Sequence, residues 1–162
     1  MGSFDSKRYE DAKNIGVKFF EKNKFVDSNC LGKVVFNSDG FMHLIWKNEE
    51  KKHKRDWKNQ VKRFQLLHYV KTVLEGMKYY QEFLERNENV KIKERGIPKT
   101  VSKKVTYWGF VAVIDNKIRI KIILKKIGEG QIIFWSIIPY WNTIHYKEIR
   151  IANLSKGEMA CD

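Results

Sequence analysis

From Trp57 the apolar positions Val61, Phe64, Leu67, Val70, Leu74, Met77, Tyr80 and Leu84 follow one another at three- and four-residue spacing. That spacing predicts a helix of about eight turns at 3.6 residues per turn. A helix that long in a small molecule is expected to break, and the expected break lies at Leu67 to Tyr69, giving two packed helices. Past Asn89 the period changes to two. Tyr107 to Ile114, Ile118 to Lys125 and Gln131 to Ile138 read as three strands joined by an Asp115-Asn116 turn and a Gly128-Glu129-Gly130 turn. A fourth strand is expected through Tyr146 to Ile151. Toward the N-terminus, Asp5 or Ser6 is placed to cap a helix with the apolar stripe Ala12, Ile15, Val17, Phe19 and Phe20, and a short strand follows at Lys33 to Phe36. Asp39 then caps a short helix whose apolar face is Met42, Ile45 and Trp46. The architecture expected is α+β, with N-terminal helices packed on a C-terminal antiparallel meander sheet of about four strands, residues 1–162 forming one domain.

Within Ile118 to Lys125 the alternation sends Ile118, Ile120, Ile122 and Leu124 to the core and Arg119, Lys121 and Lys125 to the other face. A two-residue Asp115-Asn116 hairpin puts Lys121 opposite Phe110. Pairing Leu124 with Ile133 puts Lys121 opposite Ser136. On that register Arg119, Lys121 and Ser136 share a patch with Phe110 and Phe134, cations and a hydroxyl beside rings on which a base can stack. An ordinary solvated sheet face is the competing reading.

Charge sharpens this picture. Of the 162 residues 32 are Lys or Arg and 19 Asp or Glu, for a net charge of +13. The excess sits in two blocks, Lys47 to Phe64 and Lys91 to Lys126. Two basic blocks on one compact surface attract a polyanion by counterion release, which points to RNA or DNA. The bland alternative is a lysine-rich surface that only confers solubility. Arg is scarce, seven residues against 25 Lys, and its fork grips two phosphate oxygens where Lys offers a point charge. Arg55 and Arg63 lie eight residues apart and project on roughly one face, with Lys47, Lys58, Gln60 and Lys62 of the same block as further nucleic-acid contacts. Of the four histidines, His43 precedes the first basic block, where neighbouring cations lower its pKa and favour a neutral base. His53 is expected to be solvated, His68 packed.

Several chemistries are poorly served. Between Gly96 and Lys126 the one acid is Asp115, whereas a metal-dependent nuclease needs converging carboxylates. Walker, HExxH and GxSxG motifs are missing, and Cys30 and Cys161 have no metal-spaced partners. No metal or cofactor is therefore expected. With no apolar run of membrane-spanning length and a polar N-terminus, the expectation is a cytoplasmic protein with no membrane partner. Metal-free RNA cleavage, in which a 2′-hydroxyl attacks the adjacent phosphate, needs only His, Lys, Arg, Ser and Tyr types.

The string VVFNSDGFMHLIWK, followed by Arg55, Gln60, Arg63 and QVKRFQLL and then by YWGF, IRIKIIL and IIFWSIIP, resembles small phage and mobile-element toxins of the superfamily that groups barnase, EndoU, colicin-type and RelE-type ribonucleases. The resemblance spans roughly Lys33 to Pro139 and lies in the order of elements. It implies a metal-independent endoribonuclease toxin of that fold, with His43 as acid/base, Arg55 and Arg63 as phosphate clamps, and Lys121 with Ser136 as the contribution of the sheet. RelE-type toxins carry a C-terminal Arg/Tyr cluster; here Tyr140, Tyr146 and Arg150 are the substitutes available. A toxic nuclease with a basic cleft implies an acidic antitoxin or immunity protein as partner. The alternatives are a nonenzymatic nucleic-acid-binding domain using the same face and a lysine-rich protein-interaction domain.

Overall fold

The computed structural model describes residues 2–48, 50–115 and 118–142. The strand expected at Tyr146 to Ile151, with His145, Tyr146 and Arg150, lies outside the described residues, as does Asn116 of the expected turn.

The chain opens with helix α1, Ser3–Lys22, which begins ahead of the expected caps, with Gly2 at the N-cap. Its buried line is Ala12, Gly16 and Phe20, a strict i, i+4, i+8 row. Ile15, expected in the stripe, is one position off that row and exposed. Gly16 is in the row because a Cβ there would strike the Phe64 ring. Strands β1 (Phe25–Ser28) and β2 (Gly32–Val35) form an antiparallel hairpin. β1 offers only two inward positions, Val26 and Ser28, too few for a periodic signal. Helix α2 is Ser38–Ile45, capped by the Asn37 side chain, which accepts from Gly40 N at 3.1 Å; Asp39 sits inside the first turn instead. Its buried residues are Gly40, His43, Leu44 and Ile45, so His43 lies on the inner face and Trp46 leaves the helix in extended conformation.

Helix α3, Trp57–Leu66, is capped by Asp56. A single 3₁₀ turn, Leu67–Tyr69, leads into α4, Val70–Gly76. The break falls at the expected place. The second half ends early, because Met77 is extended and Leu84 belongs to strand β3, Glu82–Glu94. β3 joins β4 (Ile97–Ile114) through Arg95 and Gly96, both at positive φ, 50° and 82°, the two-residue turn that matches strand twist. β5 (Ile118–Ile127) and β6 (Ile132–Asn142) complete the meander. The sheet has six strands in the order β1-β2-β6-β5-β4-β3, antiparallel except where β2 runs parallel to β6. The fold is therefore α+β as expected, with a mixed sheet in place of an all-antiparallel one.

The register corrects the expected patch. Ile114 pairs with Ile118, leaving three residues between the strands, so Lys121 faces Val111 and Phe110 faces Ile122. Across β6, Leu124 pairs with Phe134 and Ile123 with Ser136. Trp135 is the extra residue of a bulge. Phe110 and Phe134 consequently lie in the main core under the helices, fully buried with Val34, Leu44, Phe64, Ile120 and Ile122. Phe134 stacks on Phe36 at 5.0 Å. A second apolar cluster, Val90, Val105, Tyr107, Ile123 and Trp135, covers the opposite face of the sheet.

α2 approaches β6 most closely at Gly40. A Cβ at Gly40 would run into the carbonyl oxygen of Phe134, immediately before the bulge. Gly40→Ala is expected to destabilise the protein by about 1–3 kcal/mol through overpacking, read as a lower urea midpoint at unchanged slope; an unchanged midpoint would show that α2 moves away freely.

Candidate active site

The bulge in β6 and the inner face of α2 meet at a pair of stacked rings. His43 lies on Trp135 with centroids 4.1 Å apart and planes 19° from parallel. Gly40, one turn before His43, is what lets the helix come this close.

The chain leaves α2 at Trp46 and returns at Lys54, where the two residues form an isolated antiparallel bridge. Lys47 N donates to His53 O and Arg55 N to Ile45 O, both at 2.8 Å. This closes a lysine-rich loop and sets Arg55 beside His43. Arg55 Nε donates to the His43 carbonyl and Nη2 lies 3.1 Å from His43 Nε2. A guanidinium has no acceptor, so Nε2 accepts and the proton of the neutral ring is on Nδ1. Gln60 holds the arrangement from below, its Nε2 donating to Arg55 O at 2.6 Å while its Oε1 accepts from Tyr9.

Arg63 reaches the sheet from one turn further along α3. Its Nε donates to Asn59 Oδ1 at 2.7 Å and its Nη1 to Ser136 Oγ at 2.5 Å. From β5, the Lys125 ammonium lies 3.9 Å from the centre of the Trp135 ring and 5.6 Å from that of Tyr107, a cation–π contact that offsets part of its desolvation. Tyr107 is fixed in turn by its hydroxyl on Glu88, whose Oε1 also accepts from Arg86.

Of the residues expected to act together, the fold collects His43, Arg55, Gln60, Arg63 and Ser136. Lys121 is on the same face of β5 as Ile123, which Ser136 opposes, but its ammonium donates to Glu82 at 3.0 Å. Glu82 is paired with Gly109 of β4, which in turn pairs with Ile123 of β5. Arg119 shares the Lys121 face and is half-buried. Lys47, Lys58 and Lys62 are exposed at the periphery. Phe110 and Phe134 are not in the site at all. His68 is exposed, contrary to the packed position expected. Lys125, Trp135 and Glu82 were not expected in the site. Lys125 was legible as a face-mate of Lys121; Trp135 was not, because no periodicity announces a bulge.

His43, Arg55, Arg63, Lys121 and Ser136 are each at most 6% exposed. Burial, followed by the charges of Arg55, Arg63 and Lys125, lowers the pKa of His43 from 6.5 to about 2. The cluster contains an imidazole locked neutral, two guanidinium forks, an ammonium and a hydroxyl. This is the equipment for holding an oxyanion next to a proton acceptor. Among the described residues no three His, Cys, Asp or Glu side chains are grouped to hold a metal. No helix among them is long and apolar enough to cross a membrane. In comparisons with known proteins, no family model, no curated protein and no solved structure matches the chain.

The depressed pKa has a consequence for stability. The unfolded imidazole takes up a proton near pH 6.5 and the folded one near 2. The contribution of neutral His43 is therefore complete above pH 6.5 and lost on acidification toward 2, at about 1.4 kcal/mol per pH unit. Urea unfolding of the wild type and His43→Gln across that range is expected to show this extra slope only in the wild type; parallel curves would show that the ring charges freely in the fold.

Proposed function

We propose that this protein is a metal-independent endoribonuclease of the barnase–EndoU–colicin–RelE-like group, a toxin that cleaves RNA by attack of a 2′-hydroxyl on the adjacent phosphate. The observation that supports it is the convergence of Arg55, Arg63 and Lys125 on the neutral ring of His43, with Ser136 at the tip of Arg63. The scissile phosphate enters between the two guanidinium groups. Arg55 exchanges the imidazole for phosphate oxygens, which releases the Nε2 lone pair, and the added anion raises the basicity that the cations suppress. Nε2 takes the 2′-hydroxyl proton as the bond from O2′ to phosphorus forms. The same proton passes to O5′ as its bond to phosphorus breaks, leaving a 2′,3′-cyclic phosphate. Arg63 and Lys125 stabilise the charge on the phosphorane, and Ser136 orients Arg63. Because the cluster is almost completely buried, the polynucleotide reaches it only when the covering segments move aside. The net charge of +13 supports an acidic inhibitory protein as partner in the cytoplasm.

A second reading, a binding domain without turnover, draws on one observation: an imidazole with a pKa of about 2 is a weak base. The two separate in one experiment. Bulk RNA incubated with the protein in EDTA, with and without ribosomes, is expected to yield fragments ending in cyclic phosphate. His43→Ala is expected to lower the rate roughly 10²-fold or more while RNA binding persists. RNA that stays intact in both arms under excess protein removes the enzyme and leaves the binding domain.

A further inference from the structure

β4 pairs with β5 only from Val105 onward. Beyond that point β3 and β4 continue as a two-stranded ribbon, Asn87 to Lys104, that carries six Lys or Arg and two Glu. Its two faces differ sharply. Val90, Ile92 and Val101 turn inward onto the cluster around Tyr107 and Trp135, which anchors the ribbon to the sheet. Asn87, Asn89, Lys91 and Lys93 point outward and are exposed, with Lys104 and Ser102 opposite the first two. The one carboxylate in this outward row of β3, Glu85, is taken up by Thr106 and Lys104.

The row begins at an exposed aromatic pair. Phe83 is 52% and Tyr80 41% exposed, their rings 5.9 Å apart, with Phe83 edge-on to Trp108. Tyr79 beside them is 76% exposed. Lysines on an edge strand are explained by the need to block pairing with another sheet; exposed rings are not. At the other end the ribbon comes near the lysine-rich loop beside His43: the Glu50 carboxyl, held down in pKa first by Lys52, also feels the charge of Lys91.

We propose that the outward face of the ribbon, from Tyr80 and Phe83 to Lys93, is a contact surface for single-stranded RNA, separate from the buried cluster. The rings stack unpaired bases, and Asn, Ser and Lys side chains follow the sugar-phosphate backbone along about 33 Å, at roughly 3.3 Å per residue. A duplex would present no free base face to Phe83, so the single strand is the form that fits. The choice of RNA rests on the reading of the chain as a ribonuclease; the surface itself does not.

The test uses a labelled single strand of 2′-O-methyl RNA, which lacks the attacking hydroxyl, so binding is read without cleavage. Tyr80→Ala with Phe83→Ala is expected to weaken affinity roughly tenfold or more. Lys91→Gln with Lys93→Gln is expected to weaken it and to reduce the slope of log K against log salt by about 1.4, at about 0.7 per phosphate contact. Lys18→Gln with Lys22→Gln on α1, the same change in charge, should have little effect, and the strand annealed to its complement should bind more weakly. Affinity unchanged by both ribbon variants overturns the proposal. So do equal losses with the α1 pair, or a self-association abolished by Tyr80→Ala with Phe83→Ala at constant RNA affinity, which would assign the face to a second copy. Binding that responds as expected while ordinary RNA is never cleaved would retain this surface and remove the ribonuclease. Cleavage unaffected by the ribbon variants would do the reverse.

Discussion

A guanidinium can be taken out of water only where its N–H groups find acceptors, and that constraint organises the centre of this protein. Arg55 meets it on both polar ends of His43, the main-chain carbonyl and the ring nitrogen. Arg63 meets it on Asn59 and on Ser136, 73 positions along the chain. Each arginine therefore ties two elements together: the start of α3 to α2, and the body of α3 to β6. Losing one acceptor would leave a charge buried without its hydrogen bond, a much larger penalty than any surface ion pair could offset. The same contacts that tie these helices to the sheet are those that place an imidazole among cations, so stability and the proposed chemistry rest on one set of side chains.

The bulge at Trp135 makes this geometry possible. Without the extra residue, β6 would alternate regularly and Trp135 and Ser136 would point to opposite faces of the sheet. With it, Ser136 comes opposite Ile123 on the face that carries Lys121 and Lys125, while Trp135 joins the apolar cluster there and receives His43. The β3–β4 ribbon completes the arrangement by turning its apolar side chains onto the same cluster. The sheet thus carries a second, smaller core on the face opposite the main one. Lys121 and Lys125 are buried, where a solvated cationic face would have left them in water.

Much of this was legible in advance. The helical period from Trp57 as far as Leu74, its break at Leu67 to Tyr69 and the alternation of Ile118 to Lys125 each reflect a local rule acting on neighbouring residues and are seen in the fold, whereas the expected continuation of the helix to Leu84 is not. Two of the few arginines, Arg55 and Arg63, are the ones buried at the centre. The strand β3 was hidden because its first residues, Glu82 to Leu84, prolong the helical spacing that precedes them. Leu84 fits both a helix of period 3.6 and a strand of period two. The expected patch with Phe110 and Phe134 is not formed because β5 pairs one residue away from the expected register on both of its edges, Phe110 meeting Ile122 and Phe134 meeting Leu124, and a one-residue slip carries a whole strand's side chains to the other face.

Composition and periodicity determined the α+β class, the basic character and the residue types available, because those depend on each residue and its near neighbours alone. Which lysine approaches the imidazole, how deeply the cations are buried and which rings are left exposed depended on register, on the bulge at Trp135 and on the curl of a ribbon. Those are set by packing between segments distant in the chain, where a single added residue changes every contact that follows.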